Sequence, residues 1–465
     1  MPSAPSAPAW LQAPADANAL ATGVWPASAD RDESGRLLIG GVPATALAGR
    51  YGTPLYVLDE AEVRARAARV LAAFRSAFAR LGTDAVVYYA GKAFLSTDVA
   101  RWVSETGLNI DVCSGGELAV ALAAGVDAAR LGFHGNNKST AEIERAVAAG
   151  IGTIVIDSRI EIDRIAEAAE RAGRVQNVRL RVNSGVHAHT HEFLATAHDD
   201  QKFGVPLADA AEYVALIRER ESLRFLGLHC HIGSQIFDEG GFSESASRLI
   251  AVHAELLAGG EVPELNLGGG FGIAYTSADD PTPIEQIALG MAEAVGDACE
   301  LHGIPVPRIA LEPGRYIVGP AGVTLYEVGT VKPVAVDGGV RTYVSVDGGM
   351  SDNARPALYG ADYSARIASR VSDAPPALVR VAGKHCESGD IVVDADYLPG
   401  DVRPGDLLAV AATGAYCFSL SSNYNYLTRP AVVAVREGTA RLLVRRETEE
   451  DLLSRDLGVE RNERA

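Results

Sequence analysis

The chain has 465 residues, with 42 Lys+Arg against 60 Asp+Glu, a formal net charge of −18, and is 48% hydrophobic. That acidity argues against a nucleic-acid partner, which calls for a basic stripe to displace counterions. The hydrophobic share argues against a disordered chain, no run approaches the ~20 apolar residues of a membrane span, and the length suggests two or three domains.

Residues 1–30 are rich in Ala, Pro and Ser, and their first charge is Asp16. With no basic start and no apolar block, they read as a disordered leader and not a signal peptide. Five scattered cysteines, Cys113, Cys230, Cys299, Cys386 and Cys417, form no CxxC pair. A disulfide framework or structural zinc site is therefore not expected, and a cytoplasmic location is. Residues 31–67, with apolar stretches at 37–50 and 55–57, are expected to supply the N-terminal part of a β domain.

From 68 to 320 the texture alternates between short apolar runs and longer Ala- and Leu-rich segments. The runs fall at 86–90, 108–114, 130–135, 153–158, 178–183, 225–233, 264–270 and 308–313. Segments such as 141–149 and 160–172 fit amphipathic helices between them. Eight strand–helix units over this length predict a (β/α)8 TIM-like barrel, with a doubly wound sheet as the runner-up. Residues 321–465 are different: Val- and Thr-rich runs at 323–336, 341–346, 377–381, 406–412 and 431–435 are separated by Gly or Pro turns. They predict a C-terminal β domain, completed by 31–67, and a charged helix end beyond Arg445.

Barrel chemistry gathers where strands end at the C-terminal rim. There the sequence places Lys92, Asp111, Cys113, Glu117, His134, Lys138, Arg181, His229, His231, Ser234, the run Gly268, Gly269 and Gly270, and Glu312-Pro313-Gly314-Arg315. Lys92, at the end of an apolar strand, is expected to be partly desolvated, which favours a covalent bond to an aldehyde. The glycine run is either a tight turn or a place where backbone N–H groups converge on a phosphate, with Arg315 as a fork for the same anion. It is not a dinucleotide fingerprint, because Ile273 stands where the third glycine is required. Glu312, a carboxylate on a barrel strand, calls for a cationic partner, and a protonated pyridine nitrogen would be one. Together an aldehyde anchor, a phosphate cradle and a pyridinium acid describe pyridoxal 5′-phosphate. His187, His189 and His191 with His229 and His231 can be drawn as a zinc cluster. No HExxH or cysteine completes it, so no metal is expected, and His231 is better placed to stack on a flat ring.

These residues occur in ordered blocks: 89–93 (YAGKA), 133–138 (FHGNNK), 227–235 (GLHCHIGSQ), 268–271 (GGGF) and 312–315 (EPGR). Further on come 347–356 (DGGMSDNARP), 386–388 (CES), and 414–416 (GAY) followed by 422–425 (SNYN). From about Tyr51 to Thr439 the chain resembles the barrel-type pyridoxal phosphate-dependent decarboxylases of basic amino acids, and within them the diaminopimelate branch. The resemblance implies an alanine racemase-like barrel with a second β-rich domain built from both chain ends. It implies Lys92 as the covalent cofactor anchor, His231 on the ring face and Glu312 at the ring nitrogen. Ser234, Gly268 to Gly270, Pro313, Gly314 and Arg315 fall at the phosphate site, with Tyr416 also at the cofactor. Cys386 matches the proton donor, and Arg315, Arg355, Tyr359, Glu387 and Tyr416 match substrate contacts. Asp111, Glu117 and Arg181 match groups around the lysine and ring. Members are homodimers in which Cys386 and Glu387 reach the neighbouring subunit's barrel.

A substrate with a carboxylate at both ends needs a distal cation, which Arg315, or Arg355 with Tyr359, supplies, while Glu387 takes the distal ammonium. Ornithine or lysine would leave that arginine unpaired. The expectation is therefore decarboxylation of meso-2,6-diaminopimelate to L-lysine. The alternatives are an ornithine-, lysine- or arginine-type decarboxylase of the same fold, a racemase, or a non-catalytic cofactor-binding homologue. The last should lack Lys92 or the Cys386 loop, and both are present.

Overall fold

The computed structural model of the chain describes residues 7–186, 201–336 and 339–458. The chain divides into two compact units: Val63–Ile273 with Asp280–Ile317, and Met1–Glu62 with Ala274–Asp279 and Val318–Ala465.

The first unit is a barrel. Its strands are β1 (Ala85–Ala90), β2 (Asn109–Val112), β3 (Leu131–Phe133), β4 (Thr153–Ile156), β5 (Gln176–Asn183), β6 (Leu223–His229), β7 (Glu264–Asn266) and β8 (Arg308–Leu311). Each runs parallel to the next, and β8 pairs with β1 to close the circle. All eight expected runs are strands of this one barrel, so the doubly wound alternative falls away. They are apolar almost without alternation because helices cover their outer face and side chains fill the inside; β4, for example, is buried at every position. Helices Thr140–Ala149 and Arg159–Arg171 lie within a residue of those expected. Serines mark where the chain leaves a strand and starts a helix. Ser96, Ser114 and Ser139 accept from the amides of Val99, Glu117 and Glu142, satisfying donors that the first helical turn leaves open.

The second unit is β-rich. Strand β9 (Gly322–Val336) runs antiparallel to β10 (Gly339–Val346), and strand Leu55–Asp59 joins the same sheet. Leu55–Asp59 pairs antiparallel with β9 and parallel with Ala431–Arg436, so the N-terminal segment lies inside a sheet made mostly by the C-terminal part. Strands Ile391–Pro399 and Thr439–Val444 were not anticipated. Within the stretch 37–50, expected to contribute to the β domain, Ala44–Tyr51 is a helix whose buried Ala44 and Leu47 stand three apart. The expected leader also needs correction. Within 7–30, Val24 and Trp25 are 0% and 5% exposed and pack in the same core as Leu37, Ile39, Leu55 and Val57. Two large apolar side chains anchor a stretch whose Ala/Pro composition suggested disorder. Among the described residues no helix is long and apolar enough to cross a membrane.

Candidate active site

The barrel rim gathers the chemistry the sequence placed there. After β1 the chain makes a tight turn, Gly91–Ala93, that carries Lys92. The turn is seated on the end of β8: the amide of Ala90 donates to the Pro313 carbonyl at 3.1 Å, and a Cβ on Gly314 would press on Ala90 and Ala93. Pro313 and Gly314 thus position the lysine turn. Lys92 itself is exposed, which corrects the expected desolvation: its side chain leaves from a turn beyond the strand and not from the strand. Burial raises the Glu117 carboxyl above its usual range against the opposing pull of the Lys92 ammonium, and burial, helped by Lys92, holds the His231 imidazole well below its usual range. Glu117 also caps its own helix, its Oε2 accepting from Cys113 N at 2.7 Å while Ser114 accepts from Glu117 N.

Glu312 follows β8 directly and is the centre of a polar cluster inside the rim. Its Oε1 accepts from Asn266 Nδ2 at 2.6 Å, and its Oε2 lies 3.1 Å from His229 Nε2. His134 Nε2 is 3.3 Å from Oε1 and 3.1 Å from Asp111 Oδ1. Burial opposes a charge on Glu312, yet His134 and His229 outweigh it and hold the carboxyl well below the usual range. Burial keeps His229 neutral by pulling it down to about 4, so its Nε2–H is the donor. The ligand atoms of His134, His229 and Glu312 lie within 4.8 Å of one another. That spacing would accept a divalent ion, but His229 and Glu312 are already hydrogen-bonded to each other. His187, His189 and His191, the other half of the zinc cluster drawn from sequence, lie outside the described residues.

His231 Nδ1 accepts from Gly269 N at 3.3 Å, fixing its ring beside the glycine run. Gly268 N donates to Asn266 Oδ1 at 2.8 Å. Two of the three amides expected to face a phosphate are therefore engaged within the protein. The glycines answer a different need, close approach of neighbouring strand ends. A Cβ at Gly268, Gly269 or Gly270 would overlap the carbonyl oxygens of Cys230, Glu312 and Gly233 respectively. Gly268 and Gly270 also take φ of 70° and 112°, which glycine adopts without strain. Beside the run, Arg315 Nη2 donates to Ser234 Oγ at 2.9 Å, a cation held by a neutral hydroxyl. Arg181 is buried, its guanidinium 4.3 Å above the Phe203 ring.

The second unit holds its own cluster. Cys386 and Glu387 are exposed on a loop whose geometry is set by His385. His385 Nε2 accepts from Ser351 N at 3.3 Å, so the proton sits on Nδ1, which faces Asn425 Oδ1 at 3.2 Å. The same oxygen accepts from Cys386 N at 3.1 Å. Arg355 is only 4% exposed, donates to the Tyr363 hydroxyl at 2.6 Å, and lies 4.8 Å from the Tyr275 ring centre. Among the described residues no carboxylate pairs with its guanidinium. Tyr359 is 38% exposed at the end of the helix Arg355–Tyr359. Tyr416 is half-buried at φ 63°, an uncommon conformation for a tyrosine and one that gathers at functional sites.

Residues 64–319, more than half of the chain, match the family "Pyridoxal-dependent decarboxylase, pyridoxal binding domain". Diaminopimelate decarboxylase of Mycobacterium tuberculosis is 54% identical over 444 residues, covering 94% of this chain and 98% of the relative. That of Bacillus subtilis is 46% identical, covering 92% and 96%. The chain belongs to the diaminopimelate decarboxylase family. The crystal structure of the M. jannaschii member in co-complex with L-lysine matches with a TM-score of 0.85 at 32% identity, covering 93% of this chain and 98% of that one. The chain is accordingly an enzyme, a lyase of the pyridoxal-dependent decarboxylase type, built on the barrel fold of its family.

The barrel's donor set fits pyridoxal phosphate. A buried carboxylate held ionised suits a cationic ring nitrogen, and Arg315 with Ser234 brings a guanidinium and a hydroxyl together as a phosphate needs. The sequence marked His134 only as a rim residue, offered His229 as a rim residue and a member of a drawn zinc cluster, and left Asn266 unremarked. Their position at strand ends was visible, but their partner Glu312 lies far along the chain.

Proposed function

We propose that the chain decarboxylates meso-2,6-diaminopimelate to L-lysine and CO2 with pyridoxal 5′-phosphate as its cofactor, from the cytoplasm. The observation that carries the cofactor reading is Glu312, buried in the rim and kept ionised by its neighbours. When bound, pyridoxal phosphate supplies an electron-accepting ring for the pair left on Cα as CO2 departs. Lys92 would hold it covalently through the ε-amine, and Glu312 would hold a proton at the pyridine nitrogen. His231 would lie against the ring, its tautomer fixed by Gly269 N–H. Arg315, Ser234 and the amide of Gly270 would hold the phosphate, while Gly268 and Gly269 let the strand ends close around it.

Cys386 is the proposed proton donor to Cα, on a backbone fixed by Asn425. Arg355, with Tyr359 and Tyr416, is the proposed partner of the distal carboxylate, and Glu387 that of the distal ammonium. In support, Arg355 is a buried cation bound to a phenol and to aromatic faces, with its charge not neutralised by any described carboxylate. We propose a homodimer in which Cys386 and Glu387 of one copy serve the barrel of the other.

CO2 release from meso-diaminopimelate, measured beside ornithine and lysine, tests the reading. Diaminopimelate should be the preferred substrate. Arg355→Ala should lose roughly 100-fold or more of that turnover while the visible absorption of bound cofactor is unchanged, since a lost partner to a buried charge costs several kcal/mol. Faster release from ornithine or lysine would assign the chain to the diamine-producing branch instead.

A further inference from the structure

Beyond helping to hold Glu312 ionised, His134 stands between two buried carboxylates, those of Glu312 and Asp111. It follows β3 directly, its amide donating to Val112 O at 2.9 Å. Its ring is buried and meets that of His229 edge to face at 5.0 Å. Its Nε2 lies 3.1 Å from Asp111 Oδ1 and 3.3 Å from Glu312 Oε1, and both acids have side chains less than a tenth exposed. Glu312 has Asn266 and His229 as donors, whereas neither oxygen of Asp111 receives a well-aligned hydrogen bond among the described residues. The space for the Asp111 carboxylate is built in, since a Cβ on Gly132 would overlap Oδ1. Arg179 also favours the ionised Asp111 through its charge, but less than His134 does, and its Nε and Nη2 donate to Glu264 and the Tyr88 hydroxyl, not to Asp111.

Two neighbouring buried carboxylates cannot both stay ionised unaided; they share a proton. A proton shared with Asp111 would leave Glu312 a poorer partner for a cationic ring nitrogen. We propose that His134 is a positioning residue for Glu312, supplying the buried positive charge that lets the two carboxylates stand side by side so that Glu312 alone faces the cofactor's ring. The inference rests on the pyridoxal phosphate reading. The local electrostatics agree with it: burial opposes a charge on His134, but Glu312 and Asp111 outweigh it and push the imidazole up to about 9.

The test is equilibrium dialysis of the cofactor-free protein against pyridoxal phosphate, for wild type, His134→Gln, Asp111→Asn and the double variant, with thermal melting of each. Glutamine keeps the bulk and a donor but not the charge. His134→Gln should weaken affinity about tenfold or more, on the scale of one pKa unit at Glu312. Asp111→Asn added to it should restore affinity to within about threefold of Asp111→Asn alone, because with one carboxylate gone the cation is no longer needed. Unchanged affinity in His134→Gln, or a double variant that loses the sum of both defects, overturns the proposal in favour of simple packing. If His134→Gln does not fold, Asp111→Asn against the double variant reads the same coupling. Wild type that binds no pyridoxal phosphate would instead overturn the cofactor reading.

Discussion

Lys138 and Glu161 form an ion pair almost wholly inside the barrel unit, at 2.9 Å with side chains 1% and 2% exposed. The ammonium also donates to the carbonyls of Gly135 at 2.6 Å and Val155 at 2.7 Å. It therefore ties the loop after β3, which begins with His134, to the end of β4. Such a pair adds little stability over an apolar one, but removal of one member strands the other charge. Lys138→Met should destabilise the barrel by about 3–5 kcal/mol, and Lys138→Met with Glu161→Leu by clearly less. Chemical denaturation of the cofactor-free protein measures both, and equal losses would show that the lysine acts through its loop contacts alone. Legibility at this scale followed exposure to the rim. Lys92, Glu312, Arg315 and His231 stand out because strand ends are where chemistry is sought. The companions of Glu312 do not, because His134, His229 and Asn266 acquire meaning only when strands distant in sequence are laid side by side. The exposure of Lys92 was hidden for a related reason: from sequence alone, a residue at a strand end and one on the turn just after it look the same.

The glycine run shows how an element can carry the right residues for a reason the sequence conceals. Three consecutive glycines suit a phosphate cradle and a tight packing seam equally well. The seam accounts for more of them: Gly268 and Gly269 spend their amides on Asn266 and His231, and every added Cβ would meet a backbone carbonyl of a neighbouring strand end. Gly269 has an ordinary φ, so a side chain there is barred by the Glu312 carbonyl and not by conformation. Gly269→Ala should push the ends of β7 and β8 apart and weaken retention of pyridoxal phosphate about tenfold or more, the scale on which a displacement of about 1 Å disturbs a preorganised site. Gly49→Ala is the control. Gly49 lies in the helix Ala44–Tyr51 with nothing within 4 Å of an added Cβ, and alanine there should be neutral or raise stability by about 0.5–1 kcal/mol. Dialysis and thermal melting read the two variants, and an alanine at 269 that leaves retention intact would move weight back to the cradle.

Across the whole molecule the barrel was legible because βα alternation is a local pattern repeated eight times, each repeat bounded by its own turn and cap. The β-rich unit was harder to read. Its strand Leu55–Asp59 is five residues long and finds partners only in β9 and in Ala431–Arg436, and its anchors Val24 and Trp25 sit in a stretch whose composition argues for disorder. An interface between copies leaves no local signature, so the proposal that Cys386 serves another chain's barrel stands on resemblance and calls for a direct test. Lys92→Ala and Cys386→Ala should each be nearly inactive alone, since the first lacks the covalent anchor and the second the proposed proton donor. Refolded together, the two chains form mixed dimers in which one site joins the intact Lys92 of one copy with the intact Cys386 of the other, and its companion carries both defects. Equal mixing should then restore about a quarter of wild-type CO2 release, because half the dimers are mixed and half the sites in each are whole. A mixture no more active than its components would mean that Lys92 and Cys386 must come from the same chain, and the shared-site dimer would have to be abandoned while the decarboxylase reading stood.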